Sequence, residues 1–564
     1  MAPQKLNFGI MCNGPEFDDW QAECIRRLRE IDNVNLKLLI INDSNSSDTS
    51  GLSEKISTIK EYKNRTSAKD AINKTTWWLY RMRFDVPPCK SKVDLSPGLE
   101  PIDRIACDVK EEGFSQYFYE GDISEIKEYN LDFVLRMGFG IIRGEILEVP
   151  KYGVWSYHHD DERKYRGGPA CFWEIYHGDP VSGAILQRLT DRLDGGIILK
   201  RGFFGTQRRY QDNLNNVYYG TTEWPAQVAT DILNGNADYV DHPPTKSDAP
   251  IYRAPSLPQI TSYNLKNIYS LATTALSGIE HWNIGVLQHS IEESINESFN
   301  PEIEWYAYPK GDGFLADPFP VTIDDIKYIF VEDFSYPDWK GKISYIEYPD
   351  GFRDGDLRTA HEEPEHMSYP YLFEHHDSVY ATPEIFESNE IRLYEVHSPS
   401  NWEFKTTLIK GVEGVDPTII KHRDRWWMFY TEHSYSNTKL YISFADNLTG
   451  EWKYHKNNPV KTDIRSSRPG GTPFMIDSEL YRPAQTSAGG YGKGIVINKV
   501  EKLTPEQYAE KKVSEIQPSE GGLYTGMHTL SSQGDITLID SKRRIRNRHA
   551  LQRRFHQIVS KLTP

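Results

Sequence analysis

Apolar and polar positions follow two different periods along the chain, and the change of period divides it. Leu6–Cys12 is a nearly continuous apolar run, as expected of a strand buried on both faces. Trp20, Cys24, Ile25, Leu28 and Ile31 then recur at helical spacing. Leu36–Ile41 repeats the buried-strand pattern, residues 42–53 are rich in Ser, Asp and Asn and predict a loop, and 72–82 reads as a helix. Leu131–Leu135 and Tyr152–Tyr157 predict further strands. Strand and helix signals in alternation predict an α/β unit with a parallel sheet over residues 1–250.

Leu265, Ile268, Leu271 and Leu276 recur at helical spacing, so 251–300 is expected to be a helical connector. From 301 onward short aromatic strands alternate with polar turns. The repeating unit is a proline, an apolar strand, a polar turn and an aromatic strand that often ends on Glu. Pro318, Pro370, Pro417 and Pro473 mark successive copies, and another lies near Gly526. Steps of about 50 residues, each with several short strands, predict a five-bladed β-propeller over 301–541. A β-sandwich would not repeat at this interval. Residues 542–564 are expected to form a basic helix, with eight Lys and Arg between 542 and 561 and Ile545, Leu551, Phe555 and Ile558 roughly on one face. Such a helix caps a domain or touches a membrane or an anionic partner.

Composition narrows the function. With 65 basic and 81 acidic residues the net charge is −16, which argues against a nucleic-acid partner. No apolar run reaches the ~20 residues of a membrane span, and the first residues lack the hydrophobic region of a secretory signal. The five cysteines, at 12, 24, 89, 107 and 171, show no CxxC spacing and fit neither a disulfide framework nor a zinc site. They read as reduced, buried thiols, so the expected localisation is cytoplasmic.

The most specific motif runs from Gly153 to Pro169 and includes Ser156, His158, His159, Asp160, Asp161, Tyr165, Arg166, Gly167 and Gly168. It continues through Trp173, Gly178-Asp179, Ser182-Gly183 and Leu193-Asp194-Gly195-Gly196. Over roughly residues 1–250 this resembles the 10-formyltetrahydrofolate-dependent formyltransferase family, which includes the sugar N-formyltransferases. The resemblance implies a Rossmann-like formyltransferase domain. It implies a folate site on Met137, Gly138, Phe139, Gly140, Ile141, Ile142 and Arg143, with Asp191 in the loop before Asp194. It also implies catalytic roles for His158, Asp194 and Ser156. The chemistry is coherent: an imidazole moves protons near neutral pH, and a carboxylate orients it and stabilises its cation. One departure matters. Ser156 stands where the family has Asn, and losing a carboxamide donor to an oxyanion typically costs ~10²–10³ in rate. Asp160 to Arg163 likewise replace the family's Ser-Leu-Leu-Pro. Tyr165, Arg166 and Asp160 are the expected substrate-binding residues, with Asp160 a candidate for the ammonium of an amino sugar. Adjacent side chains rarely converge on one ion, so no metal is expected.

The second half resembles the five-bladed propellers of family 43 glycoside hydrolases, and the propeller-like domain attached to a plant inositol-phosphoceramide glucosaminyltransferase. Ala316-Asp317-Pro318, Pro383-Glu384, Val415-Asp416-Pro417, Ser467-Arg468-Pro469 and Tyr481 to Gln485 carry this resemblance. Blade symmetry should bring Asp317, Glu384 and Asp416 to the central channel, with Arg468 and Arg482 balancing their charge and Gln485 beside them. Carbohydrate binding, structural ion pairing and glycosidic chemistry would all use these residues.

The expected function is formyl transfer from 10-formyltetrahydrofolate to the amine of a nucleotide-linked amino sugar, with the propeller binding carbohydrate or building a homo-oligomer. The alternative is a glycan-active or glycan-binding propeller carried on a degenerate formyltransferase scaffold.

Overall fold

A computed structural model describes residues 4–43, 67–192 and 195–546, apart from 277, 288, 297–298, 300–301, 308–311, 349–350, 353–356, 519–522 and 535. The chain folds as two compact units, Met1–Tyr269 and Ser270–Pro564.

The first unit is built on a seven-stranded sheet. Its order is Ile197–Gly205, Val181–Arg188, Val154–His158, Phe133–Arg136, Leu6–Cys12, Val34–Asn42, Asp103–Cys107. The last five are parallel to one another, and the first two are antiparallel additions at one edge. From Leu6–Cys12 the chain builds outward to one side, then returns at Phe133–Arg136 to build the other. Both faces of the central strands are covered, which is why Leu6, Phe8, Ile10 and Met11 are all fully buried. Helix Asp19–Arg29 buries the predicted stripe of Trp20, Cys24, Ile25 and Leu28, and Gln21 closes its capping box with Asp18. All five cysteines are free and buried.

The connector is shorter than expected. Helix Leu257–Leu276 ends just before strand Ile279–Leu287, which already belongs to the second unit. The helix packs through Ile260 and Tyr263, while Leu265, Ile268 and Leu271 are exposed. Their helical spacing is real, but they do not form the buried face.

The second unit has five sheets, four built from consecutive strands. These begin at Gly313–Ile323, Ser368–His375, Gly414–His422 and Phe474–Ile476. The fifth sheet joins the two ends of the unit, in the order Ile303–Trp305, Ile279–Leu287, Ile536–Ile545, Leu530–Gln533. This is a five-bladed propeller closed by strands from both ends, so no blade is left with an open neighbour. The propeller therefore spans 279–545, wider than 301–541. Lys542–Ile545 is strand rather than the start of a basic helix, and residues 547–564 lie outside the described ones.

The prolines of the repeat mark a recurring bulge. The inner strands lose register at Ala316/Phe319, Ser368/Tyr371 and Val415/Thr418. The residue before proline there is left-handed in each case: Asp317 at φ 50°, Tyr369 at 42° and Asp416 at 50°. This is a costly conformation for a side-chain-bearing residue, and it is held only where surrounding contacts over-determine it.

Two contacts are expected to dominate the second unit's stability. Gly471 has φ 128°, and a Cβ there would run into the Leu530 carbonyl where the Phe474–Thr486 blade meets the closing blade. Gly471→Ala should lower the unfolding temperature by several degrees, read by calorimetry. Deeper in the same blade, Arg482 donates to Glu510 at 2.7 and 3.0 Å, and Lys461 reaches the same carboxylate at 2.6 Å, all in the interior. Despite burial, these cations hold the Glu510 carboxyl down at about 2, whereas the free group titrates at 4.5. A lowered native pKa means the stabilisation is complete above pH 4.5 and drains away as pH falls towards 2. Glu510→Ala should cost ~3–5 kcal/mol at neutral pH by urea unfolding, because it strands the buried Arg482 and the partly buried Lys461.

Candidate functional site in the propeller channel

The three left-handed bulges and the ends of the second strands converge on the axis. Asp317, Glu384 and Asp416 are all buried there, and their charges act on one another. They sit in two clusters.

In the first cluster Arg468 grips Asp416 with two bonds, Nε to Oδ2 at 2.6 Å and Nη2 to Oδ1 at 3.2 Å. The Asp416 backbone N–H donates to Glu384 Oε2 at 3.1 Å, and Arg468 stands 3.7 Å from the same oxygen. Gln485 donates through Nε2 to Asp416 Oδ2 at 2.7 Å and to the Pro469 carbonyl at 2.9 Å. Those two acceptors fix the amide's orientation, since the flipped form would place oxygen against oxygen. Among the described residues no donor reaches the buried Gln485 Oε1, an arrangement that suits a donor from outside the chain. Burial, with the Asp416 charge added, pushes the Glu384 carboxyl well up.

In the second cluster Asp317 accepts from Thr529 Oγ1 at 2.6 Å and from the Tyr369 backbone N–H at 3.3 Å. Its own N–H donates to Asp540 Oδ2 at 3.1 Å. His528 lies 2.5 Å from Asp540 and 3.6 Å from Asp317, and stacks on Trp282 with ring centres 3.8 Å apart. Burial pushes the Asp317 carboxyl up to about 6, with Asp540 and Asp416 adding to it and His528 opposing. Carboxylates at Asp540 and Asp317 outweigh burial at His528 and raise its pKa. The ligand atoms of Asp317, His528 and Asp540 lie within 4.8 Å of one another, a spacing a metal ion could use. Each is already engaged in the bonds just described, and the trio reads as a self-contained ion-pair group.

Glu332 joins the axis from the neighbouring strand, opposite Ala316, and burial with the surrounding carboxylates drives its pKa far up. Tyr491 lies under Arg468, whose guanidinium carbon is 5.2 Å from the ring centre. Sequence reasoning missed Glu332, His528, Asp540, Tyr491 and Trp282. The repeat's terminal Glu carried the signal for Glu332; the others come from the closing blade and a Gly-rich turn, which lack the repeat. Arg482 is a correction: it does not balance the axial carboxylates, because Glu510 and the Ser466 and Ser467 carbonyls take its donors.

The first unit's candidate residues also gather, with different partners. Met137–Arg143 form one rim. Gly138 packs on the Cys12 backbone, Phe139 is left-handed at φ 63°, Ile141 is exposed, Ile142 is buried, and Arg143 bonds to the Asp191 carbonyl. The Asp191 carboxylate accepts from the Gly144 N–H at 3.0 Å. His158 ends its strand with Nε2 3.1 Å from the Tyr165 carbonyl. Asp194 lies outside the described residues. Ser156 Oγ accepts from Arg136 at 2.7 and 3.0 Å, which fills both its lone pairs and leaves its proton to donate. Asp160 does not await an ammonium. It is buried, accepts from the Cys171 N–H at 2.7 Å, and is pushed well up by burial and by Glu174. Tyr165 donates to Asp179 at 3.0 Å and Arg166 to the Ser247 carbonyl at 3.1 Å, so both brace loops. The acidic loop is internally paired, Asp161 with Arg163 and Glu162 with Arg201.

Comparison with known proteins bears on the second unit first. Residues 278–541 match the family model described as glucosamine inositolphosphorylceramide transferase 1, N-terminal. The rice (Oryza sativa subsp. indica) protein named glucosamine inositolphosphorylceramide transferase 1 is 33% identical over 215 residues, 37% of this chain. The chain spans only 28% of that relative's length. A methionyl-tRNA formyltransferase of Prochlorococcus marinus is 37% identical over 82 residues, 14% of this chain and 24% of that protein. Among solved structures, a thermostable family-43 glycoside hydrolase overlays 44% of this chain and 97% of its own at 16% identity and a TM-score of 0.33. The identification as a sugar N-formyltransferase is thereby overturned, and with it the expected formyl transfer to an amino sugar. The larger matches are to proteins named for glucosamine transfer, and the formyltransferase likeness is a short partial one.

Proposed function

We propose that the propeller is the carbohydrate-recognition unit of a glycosyl-transfer system, receiving the glycan or inositol-phosphate headgroup of a sphingolipid-type substrate at its axis. The observation that carries this reading is the Asp416–Arg468–Gln485 group, where a buried carbonyl oxygen lacks a donor beside a carboxylate held in a fixed orientation. Sugar and inositol hydroxyls are donors as well as acceptors, and they suit carboxylates and an amide presented side by side. The names of the plant relatives support the substrate class. The match covers 28% of such a relative, so recognition, rather than the whole transfer reaction, is assigned to this unit.

One observation favours a second reading, acid–base work at the same axis. Glu384 is pushed up while its neighbour Asp416 is locked to a guanidinium. A carboxyl group that holds its proton beside a carboxylate paired with a guanidinium is an arrangement for protonating one oxygen while stabilising another charge. Turnover of a glycoside that Glu384→Gln abolishes would establish it.

Calorimetric titration of the chain with soluble glycosides and inositol-phosphate glycans should give saturable binding. Asp416→Asn and Gln485→Ala should each weaken it about tenfold, as expected for lost hydrogen bonds to a charged or buried partner. No binding of any glycan at millimolar concentration would remove the proposal.

The pH dependence follows from Asp317, whose carboxyl titrates at about 6 in the fold and 3.8 when free. A raised native pKa means the native state binds the extra proton, so this group's contribution to stability falls as pH rises from about 4 to 6. Affinity should move the opposite way and grow across about pH 5–7 as the carboxylate forms. In Asp317→Asn both trends should be shallower, the remainder coming from Glu332, Glu384 and His528.

A further inference from the structure

The first unit holds a cation without an anion. Arg136 is the last residue of strand Phe133–Arg136, which lies beside strand Leu6–Cys12 at the centre of the sheet. These are the two strands from which the chain builds in opposite directions. At such a reversal the loops leaving the carboxyl ends diverge and open a crevice, the usual ligand position in open parallel sheets. One wall is the turn after Cys12. The other is Gly138–Gly140, which closes on the first at Gly138, where a Cβ would meet the Cys12 carbonyl carbon at 2.8 Å and Asn13 Oδ1 at 2.9 Å, and is exposed at Gly140.

Arg136 makes four hydrogen bonds, every one to a neutral acceptor. Two go to Ser156 Oγ, and the others to the Phe139 carbonyl at 3.2 Å and the Gly140 carbonyl at 2.7 Å. A guanidinium has five N–H groups, so one remains. Among the described residues no carboxylate pairs with it. Arg468 and Arg482, the buried arginines of the propeller, each hold a carboxylate with two bonds. Arg136 is partly buried, and a cation drawn out of water into a neutral cradle is stabilised by a group of opposite charge; burial pulls its pKa down. The arginine also saturates the Ser156 oxygen, leaving the serine proton as a second donor at the same place; its nearest acceptor, the Tyr157 carbonyl, is 3.4 Å away. His158 lies two residues further along the same strand and adds no donor: the Tyr165 carbonyl can only accept, which assigns the ring proton to Nε2 and leaves Nδ1 an acceptor.

We propose that the crevice floored by Arg136 and Ser156 is an oxyanion-binding site, taking the phosphate or carboxylate group of a small ligand. Arg136 supplies the charge and one N–H, and Ser156 supplies a hydroxyl already polarised by the guanidinium. This site lies in a different unit from the propeller channel and stands or falls separately from the carbohydrate reading.

The test uses the whole chain, with pyrophosphate as the phosphate probe and acetate as the carboxylate probe, followed by calorimetry and by the shift in unfolding temperature. Wild type should bind at least one of them, and the preferred probe identifies the source of the anion. Arg136→Gln should weaken binding by about tenfold or more, and Arg136→Lys should retain part of it, the pattern of a charge-assisted contact. Ser156→Ala, which removes one small group, should weaken binding about threefold and guards against an Arg136→Gln protein that does not fold. Loss of binding with rising salt is expected in every case. Failure of both probes to bind at millimolar concentration would overturn the site, as would Arg136→Gln or Arg136→Lys with Ser156→Ala binding as tightly as wild type.

Discussion

A ring of blades holds its axis in place only if the last blade is completed, and here the completing element is one antiparallel pair. Strand Ile536–Ile545 lies against Ile279–Leu287 over nine registered pairs, from Ile279↔Ile545 to Leu287↔Thr537. The same strand carries Asp540, which accepts from the backbone of Asp317, His528 and Thr529. Closure and the axial electrostatics are thus one structural fact. Without that strand Asp317 would lose the bond that steadies its left-handed backbone, and His528 would lose its anion.

The two kinds of buried charge in the propeller do different work. Arg482 and Lys461 share Glu510, a group with cation in excess that fixes a blade. The axis is unbalanced the other way, with Asp317, Glu332, Glu384, Asp416 and Asp540 facing Arg468 and His528. Carboxyl groups in excess of nearby cations in low-dielectric surroundings respond by holding protons, which is why Asp317, Glu332 and Glu384 all shift upward. A structural core gains little from such an excess, whereas a binding channel gains acceptors.

Much of this architecture was legible in the sequence. The strand periods over Leu6–Cys12 and Val34–Asn42, and the proline steps, depend on local patterning that burial enforces. The repeat marked the prolines and singled out Asp317 and Asp416 for the channel, but not the left-handed bulges at Asp317, Tyr369 and Asp416, since a residue before proline is ordinarily extended. Other features escaped local reading. The closing blade combines strands about 250 residues apart, so its first member looked like part of a linker. Arg482 looked like an axial partner because it sits in a strand that borders the channel, but strand alternation aims it at Glu510. In the first unit the motif from Ser156 to Arg166 pointed to chemistry that comparison does not support. The residue that alters that site, Arg136, lies twenty positions upstream on a neighbouring strand, where no motif flags it.

Closure from both ends also orders events in time. Asp317 and Asp540 are 223 residues apart, and a chain made from its N-terminus presents the first long before the second. Four blades can stack as they emerge, but their inward carboxylates must wait, unpaired by this strand, until Ile536–Ile545 arrives. The channel is therefore the last part of the propeller to become native during synthesis, and a chain halted before that strand would carry its blades without a working axis.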